Sequence, residues 1–295
     1  MPNVDIHTHI LPGLDDGPTT IEESLAMARA AGADGTDTII ATPHFRDMEL
    51  EGQTFAQVRE LTGTLNAALQ SDSVRRNSPP VRIFTGMTYR LDTALPDIVT
   101  SESVITLNRT RFVIVEPPFN RCPPYVEDVL GRILTQRLVP VLAHPERNSG
   151  FQRQPGRLGD LVEEGVLVQI AAGSITGEHG PAARRAAEVF LRRGIAHVVA
   201  SEMHSITAPR GPELSPALSL VSDWVGESAA YDLFETNPQM IIEGRSPQRE
   251  RAIGNIEPRR FLRMPDLSAN ALLSERRRRN ITRQWRTFRR RLTRA

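Results

Sequence analysis

Residues 138–144 read LVPVLAH. A short apolar run of this kind, ending in a histidine, reads as a buried strand that delivers an imidazole at its carboxyl end. Related runs are VDIH (4–7), DTIIATPH (37–44), VRIFTG (81–86), RFVIVE (111–116), VLVQI (166–170) and AHVVAS (196–201). Helical patterns lie between them: TIEESLAMARAAGADG (20–35), with Thr20 and Glu23 as a capping box, then FAQVRELTGTLNAAL, YVEDVLGRILTQRL, LGDLVEEG and PAARRAAEVFLRRG. Strands too apolar to be half exposed, alternating with helices, predict an α/β fold whose parallel sheet is covered on both faces. Seven such units suit a closed or nearly closed barrel better than an open sheet, although periodicity alone does not separate the two.

With 295 residues and 39% hydrophobic content, the chain can bury a sizeable core. No run approaches the roughly 18 apolar residues of a membrane span, and Asp5 interrupts the stretch a leader peptide would need, so a soluble, cytoplasmic protein is expected. Cys122 is the only cysteine, which excludes an internal disulfide and a thiolate zinc cluster. A cysteine-dependent phosphatase loop is excluded as well, because it requires arginine at the sixth following position, where Asp128 stands.

Charge is unevenly spread. Of the 36 basic residues, all arginine, ten fall between Arg276 and Ala295 with no acid among them, leaving 26 against 35 acids in the rest of the chain. Residues 1–250 read as one domain and 251–295 as an Arg-rich extension. Within that extension Ile281, Trp285, Phe288 and Leu292 are spaced by four, three and four, one apolar stripe of an amphipathic helix ringed by arginine. Such a helix suits an anionic membrane surface, which would place the protein at the inner membrane face; a disordered tail, or one packing on the acidic body, are the alternatives. No nucleic-acid motif accompanies the charge, and no nucleic-acid partner is expected.

Five of the seven histidines fall at predicted strand ends: His7, His9, His44, His144 and His204. Asp16, Glu116 and Glu202 occupy equivalent positions. Barrel enzymes build their active sites at this end of the strands, so residues distant in sequence should converge there. A single strand-end histidine is usually a hydrogen-bonded structural residue, and a D-D-G triplet usually a turn; the joint pattern carries the signal. Imidazoles with hard carboxylates and no thiolate suit Mn²⁺, Fe or Zn²⁺. More than four candidate ligands imply more than one ion, and clustered ions suit phosphoester hydrolysis, where a metal lowers the pKa of bound water and others clamp phosphoryl oxygens. Arg147, three residues past His144, can reach a phosphate from the same loop, or pair with a neighbouring acid such as Glu146.

DIHTHILPGLDDG, TIIATPHF, RFVIVEPPF, VPVLAHPERN and VASEMHS, in this order, resemble the bacterial PHP-type tyrosine phosphatases of capsule and exopolysaccharide clusters, across residues 3–245. The resemblance implies a distorted seven-stranded, TIM-like β/α barrel with up to three divalent ions, manganese favoured. It implies removal of phosphate from the tyrosine-rich tail of a membrane-associated tyrosine autokinase, and so regulation of polysaccharide export. By position it assigns His7, His9, Asp16, His44, Glu116, His144 and His204 as metal ligands, and Arg147 and, at a less regular spacing, Arg210 as phosphate-binding residues. Two positions depart from the pattern. Glu202 stands where the family carries aspartate, and Thr88 stands where it carries a metal-bridging glutamate. A neutral hydroxyl cannot bridge two divalent ions as a carboxylate does, so weaker or fewer metals and reduced activity are expected. Hydrolysis of a small phosphorylated metabolite, or binding of phosphorylated tails with little catalysis, are the alternatives.

Overall fold

The computed structural model describes residues 3–45, 54–76, 80–100 and 104–247. All lie in the compact unit Met1–Gly254. The Arg-rich segment 251–295 and its apolar stripe lie outside the described residues.

Among the described residues eight strands appear: β1 (Asn3–Thr8), β2 (Thr36–Ala41), β3 (Arg82–Thr85), β4 (Thr88–Arg90), β5 (Phe112–Glu116), β6 (Val139–Ala143), β7 (Leu167–Ala171) and β8 (Val198–Ala200). They form two sheets, β1-β2-β3 and β4-β5-β6-β7-β8, with every pairing parallel. The count differs from the seven expected because VRIFTGMTYR supplies two strands. Thr38 to Ala41 of β2 pair with Arg82 to Thr85 of β3. A Cβ on Gly86 would then come 2.7 Å from Ile40 Cγ2 and 2.8 Å from Thr42 Cγ2, so only glycine passes here. Beyond it Thr88 opens β4, which pairs with β5.

Single bridges link the sheets at two places. Thr88 bridges His44 beyond the end of β2, and Thr8 bridges Met203 beyond the end of β8. The second link joins the carboxyl ends of β1 and β8, whereas the first joins the carboxyl end of β2 to the start of β4. The second is reinforced by His9 N–H donating to Met203 O at 2.9 Å and Glu202 N–H donating to His7 O at 3.0 Å.

Alternate residues of β5 to β8 enter different apolar clusters, as period-2 geometry requires. Val113, Val115, Leu142, Val168, Ile170 and Val199 join the larger cluster with helix residues such as Met27, Leu65, Leu130, Leu161 and Phe190. Phe112, Ile114, Val141, Ala143, Leu167, Val198 and Ala200 form the smaller one with Ile241 and Ile242. The sheet is therefore covered on both faces. The first helix, Ile21–Ala33, starts with the capping box read from the sequence: Thr20 Oγ1 accepts from Glu23 N–H at 3.2 Å and Glu23 accepts from Thr20 N–H at 3.3 Å.

Candidate metal centre

His7 sits in β1 and His9 just beyond it; His44 follows β2 by three residues; Glu116 ends β5; His144 follows β6; Glu202 and His204 follow β8. The structure brings them together. Donor atoms of His9, Asp16, His44 and His204 all lie within 4.8 Å of one another, and those of Glu116, His144 and Glu202 form a second such group. His7 stands between the groups: its Nε2 is 3.4 Å from His9 Nε2, and its ring stacks on His144 with centroids 5.8 Å apart.

Two of these positions are backbone outliers. His144 has φ 32° and Glu202 has φ 56°, the left-handed region that favours glycine. Each costs on the order of 1 kcal/mol and re-aims a side chain at the end of its strand. Both turn into the same cluster, where His144 Nε2 lies 3.3 Å from Glu116 Oε1 and 3.8 Å from Glu202 Oε1.

The arginines enter the cluster too. Arg147, in the turn Pro145–Arg147, places Nη1 2.7 and 2.6 Å from the oxygens of Glu202, so its acidic partner is Glu202 and not the adjacent Glu146. Arg210 Nη1 donates to Asp16 Oδ2 at 3.0 Å, and its Nη2 contacts His204 Nε2.

Buried charge sets the electrostatics. Burial, with His9 beside it, pushes His7 down to about 3; His204 falls to about 3 through burial, His9 and Arg210. Burial acts to raise Glu116, but His144 3.3 Å away, with His44 and His7, brings it down to about 2. Glu202 is likewise held well below its ordinary value: burial raises it, and His144, Arg147, His7 and Arg210 outweigh burial. His144 goes the other way: burial lowers it, but Glu202 and Glu116 outweigh burial and hold it above its ordinary value. The site thus pairs imidazoles held neutral at His7 and His204 with ionised Glu116 and Glu202, the protonation states in which such groups bind metals.

Several supporting residues were not singled out from the sequence. Asp15, which the doublet reading passed over for Asp16, accepts from His9 Nδ1 at 2.6 Å, from His44 N–H at 3.0 Å and from Gly17 N–H at 3.0 Å. With Nδ1 protonated toward Asp15, His9 presents a bare Nε2 to the cluster, the orientation a carboxylate gives a metal-binding histidine. Gln169 Oε1 lies 3.0 Å from His7 Nδ1 and does the same there. Glu146, fully buried, accepts from Ala171 N–H at 3.1 Å and Ser174 Oγ at 2.6 Å, and Ser174 Oγ lies 3.2 Å from His179 Nδ1.

The fit to divalent metal is close in composition. The candidate groups are imidazole and carboxylate, and both ring nitrogens of buried His144 lack a hydrogen-bond partner. Thr88 is the exception: fully buried, its Oγ1 donates to Thr42 O at 3.0 Å and lies 3.3 Å from His7 Nε2, with no charge to offer. Cys122 has its thiol pushed up to about 11 by burial. No helix among the described residues is long and apolar enough to cross a membrane.

These observations define a parallel α/β protein with a histidine and carboxylate centre of metal-binding composition. The chain belongs to the CpsB/CapC family of capsular polysaccharide synthesis proteins, whose model matches residues 3–243. It is 31% identical to the tyrosine-protein phosphatase YwqE of Bacillus subtilis (84% of this chain, 94% of that one). It is 30% identical to the tyrosine-protein phosphatase CpsB of Streptococcus pneumoniae (81% and 98%). A solved structure from work on YwqE and CpsB, described as unique metal-dependent tyrosine phosphatases, aligns with TM-score 0.75 at 29% identity, over 85% of this chain and 100% of that one.

Proposed function

We propose that this chain is a metal-dependent protein-tyrosine phosphatase acting on the phosphotyrosine tail of a membrane-associated tyrosine kinase in polysaccharide export. The observation that carries the reading is the juxtaposition of the two ligand groups, His9/Asp16/His44/His204 and Glu116/His144/Glu202, with Arg147 and Arg210. The similarity to YwqE and CpsB supports it. His7 completes the ligand set from between the groups. Manganese is the ion we favour, with iron or zinc as the alternatives. The bridges Thr8–Met203 and His44–Thr88 support a closed, barrel-like arrangement in which β3 and β4 act as one distorted stave.

When bound, the ions supply a water acidified enough to attack phosphorus and positive charge to oppose the phosphoryl oxygens. The chain's own residues do the rest. Asp15 and Gln169 hold the His9 and His7 rings so that each Nε2 faces the centre. Arg147 and Arg210 place guanidinium groups beside the carboxylates, where a phosphate dianion would find hydrogen-bond donors of matching geometry. No side-chain nucleophile is needed, in keeping with the raised thiol pKa of Cys122.

A second reading, a binding partner with little catalysis, is favoured by one observation: the neutral Thr88 beside His7 Nε2. Chelator-treated protein, with and without restored Mn²⁺, should be assayed on a tyrosine-phosphorylated peptide and on histidinol phosphate. Manganese-dependent turnover of the peptide with little on histidinol phosphate is expected. Preference for histidinol phosphate would replace the substrate, and full activity after chelation would sink the metal mechanism.

A further inference from the structure

Among the described residues four large hydrophobic side chains are exposed: Val74, Phe119, Ile206 and Tyr231. Two of the four stand on the loops that carry the ligand groups. Phe119 is three residues past Glu116, and Ile206 two past His204. A partly exposed phenylalanine beside a polar centre forgoes part of the stabilisation that full burial would give, so its placement asks for a reason.

Phe119 is also held rigidly. Ser149 N–H donates to its carbonyl at 3.0 Å. The neighbouring loop carbonyls of Pro118 and Arg121 accept from Asn148 Nδ2, while Asn148 Oδ1 accepts from Gly150 and Phe151 N–H at 2.8 and 3.1 Å. Asn148 is fully buried, so this clamp ties the Phe119 loop to the turn that carries Arg147. The guanidinium carbon of Arg147 sits 4.3 Å from the Phe119 ring centroid, and the His144 ring lies 5.6 Å away. Phe119 nevertheless remains 43% exposed.

We infer that Phe119 is a specificity-determining residue: its exposed ring packs against the aromatic group of an aryl phosphate whose phosphate is held beside Arg147. This rests on the phosphatase reading above and deepens it. In an aryl phosphate the ring begins one oxygen away from phosphorus, so a phosphate paired with Arg147 sends its aromatic ring out past the side chain that already stacks on that arginine. An alkyl phosphate has no such face to offer. The preference arises in binding, from ring packing worth about 3- to 10-fold in affinity.

The test uses two nonreacting anions of matched charge, benzylphosphonate, whose phenyl ring stands one atom from phosphorus as in an aryl phosphate, and methylphosphonate, bound to the full chain with Mn²⁺ and followed by calorimetry. Wild type should bind the phenyl compound more tightly. Phe119→Ala should reduce that preference by about 3- to 10-fold while leaving methylphosphonate unchanged, and Phe119→Tyr should restore it. Phe119→Leu, with unfolding curves for each variant, serves if the alanine form is unstable. An unchanged preference in Phe119→Ala, equal weakening of both compounds, or absence of any phenyl preference in wild type would overturn the inference. Because binding is read without turnover, a chain that shows the preference yet hydrolyses nothing would fail the phosphatase reading alone.

Discussion

Arg147 Nη1 lies 2.7 and 2.6 Å from the two carboxylate oxygens of Glu202, joining the loop after β6 to the loop after β8 across the candidate centre. Glu202 is nearly fully buried, and Arg147 is one of the positive groups that keep it ionised. Removing one partner of a buried pair strands the other charge. Arg147→Met should therefore cost the metal-free protein on the order of 3 kcal/mol, read from urea unfolding. With Mn²⁺ present the loss should be smaller, since a bound cation replaces the missing charge. An equal loss in both conditions would argue that Glu202 does not bind metal.

Asp15 accepts three hydrogen bonds, and through His9 Nδ1 and His44 N–H it orients two members of one ligand group. Its turn leaves no room to adapt: a Cβ on Gly17 would come 2.2 Å from His9 O. Asp15→Asn keeps the shape and removes the negative charge that polarises His9. Manganese affinity, measured by titration, should fall about 10- to 100-fold. Unchanged affinity would mean that the Asp15–His9 contact only supports the turn.

The strands were legible because buried parallel strands concentrate β-branched residues, and their histidines stood out at the ends. LVPVLAH places Val139–Ala143 in β6 with His144 directly after it. The break inside VRIFTGMTYR was not legible, since Gly86 is required by Ile40 and Thr42, which approach it only in the folded chain. Of the two aspartates in LDDG, the family resemblance selects Asp16, whereas the role of Asp15 depends on where His44 N–H arrives. Gln169 was hidden inside an apolar run, and Glu146 beside the more conspicuous Arg147. The pairing of Arg210 with Asp16, across almost the whole domain, has no local signature.

His179 supplies a pH-dependent term to stability. Burial, followed by Arg147, with His144 and Arg210 adding and Glu202 opposing, pushes it down to about 4. An unfolded histidine titrates near 6.5, so between about pH 6.5 and about pH 4 the unfolded chain holds the extra proton. The stability conferred by neutral His179 is complete above that window and is lost as pH falls through it. His179→Phe removes this term. Between about pH 7.5 and about pH 5, the urea midpoint of the variant should fall less than that of wild type. Equal falls would assign the acid sensitivity to other groups.

Thr88 bears on how many ions the centre holds. Its hydroxyl proton goes to Thr42 O, leaving only a neutral oxygen 3.3 Å from His7 Nε2. Thr88→Glu would place a carboxylate at this fully buried position. Without metal that charge is costly to bury, and the variant should unfold at lower urea than wild type. With Mn²⁺ the order should narrow or reverse, because a carboxylate can bridge ions where a hydroxyl cannot. Elemental analysis should then find about one more ion per chain, and turnover of p-nitrophenyl phosphate should rise at least about 10-fold. A variant that gains activity without gaining metal would place the defect in charge balance and leave ligand number unchanged. If neither activity nor metal content rises, the natural centre already holds its working complement and Thr88 is no impairment.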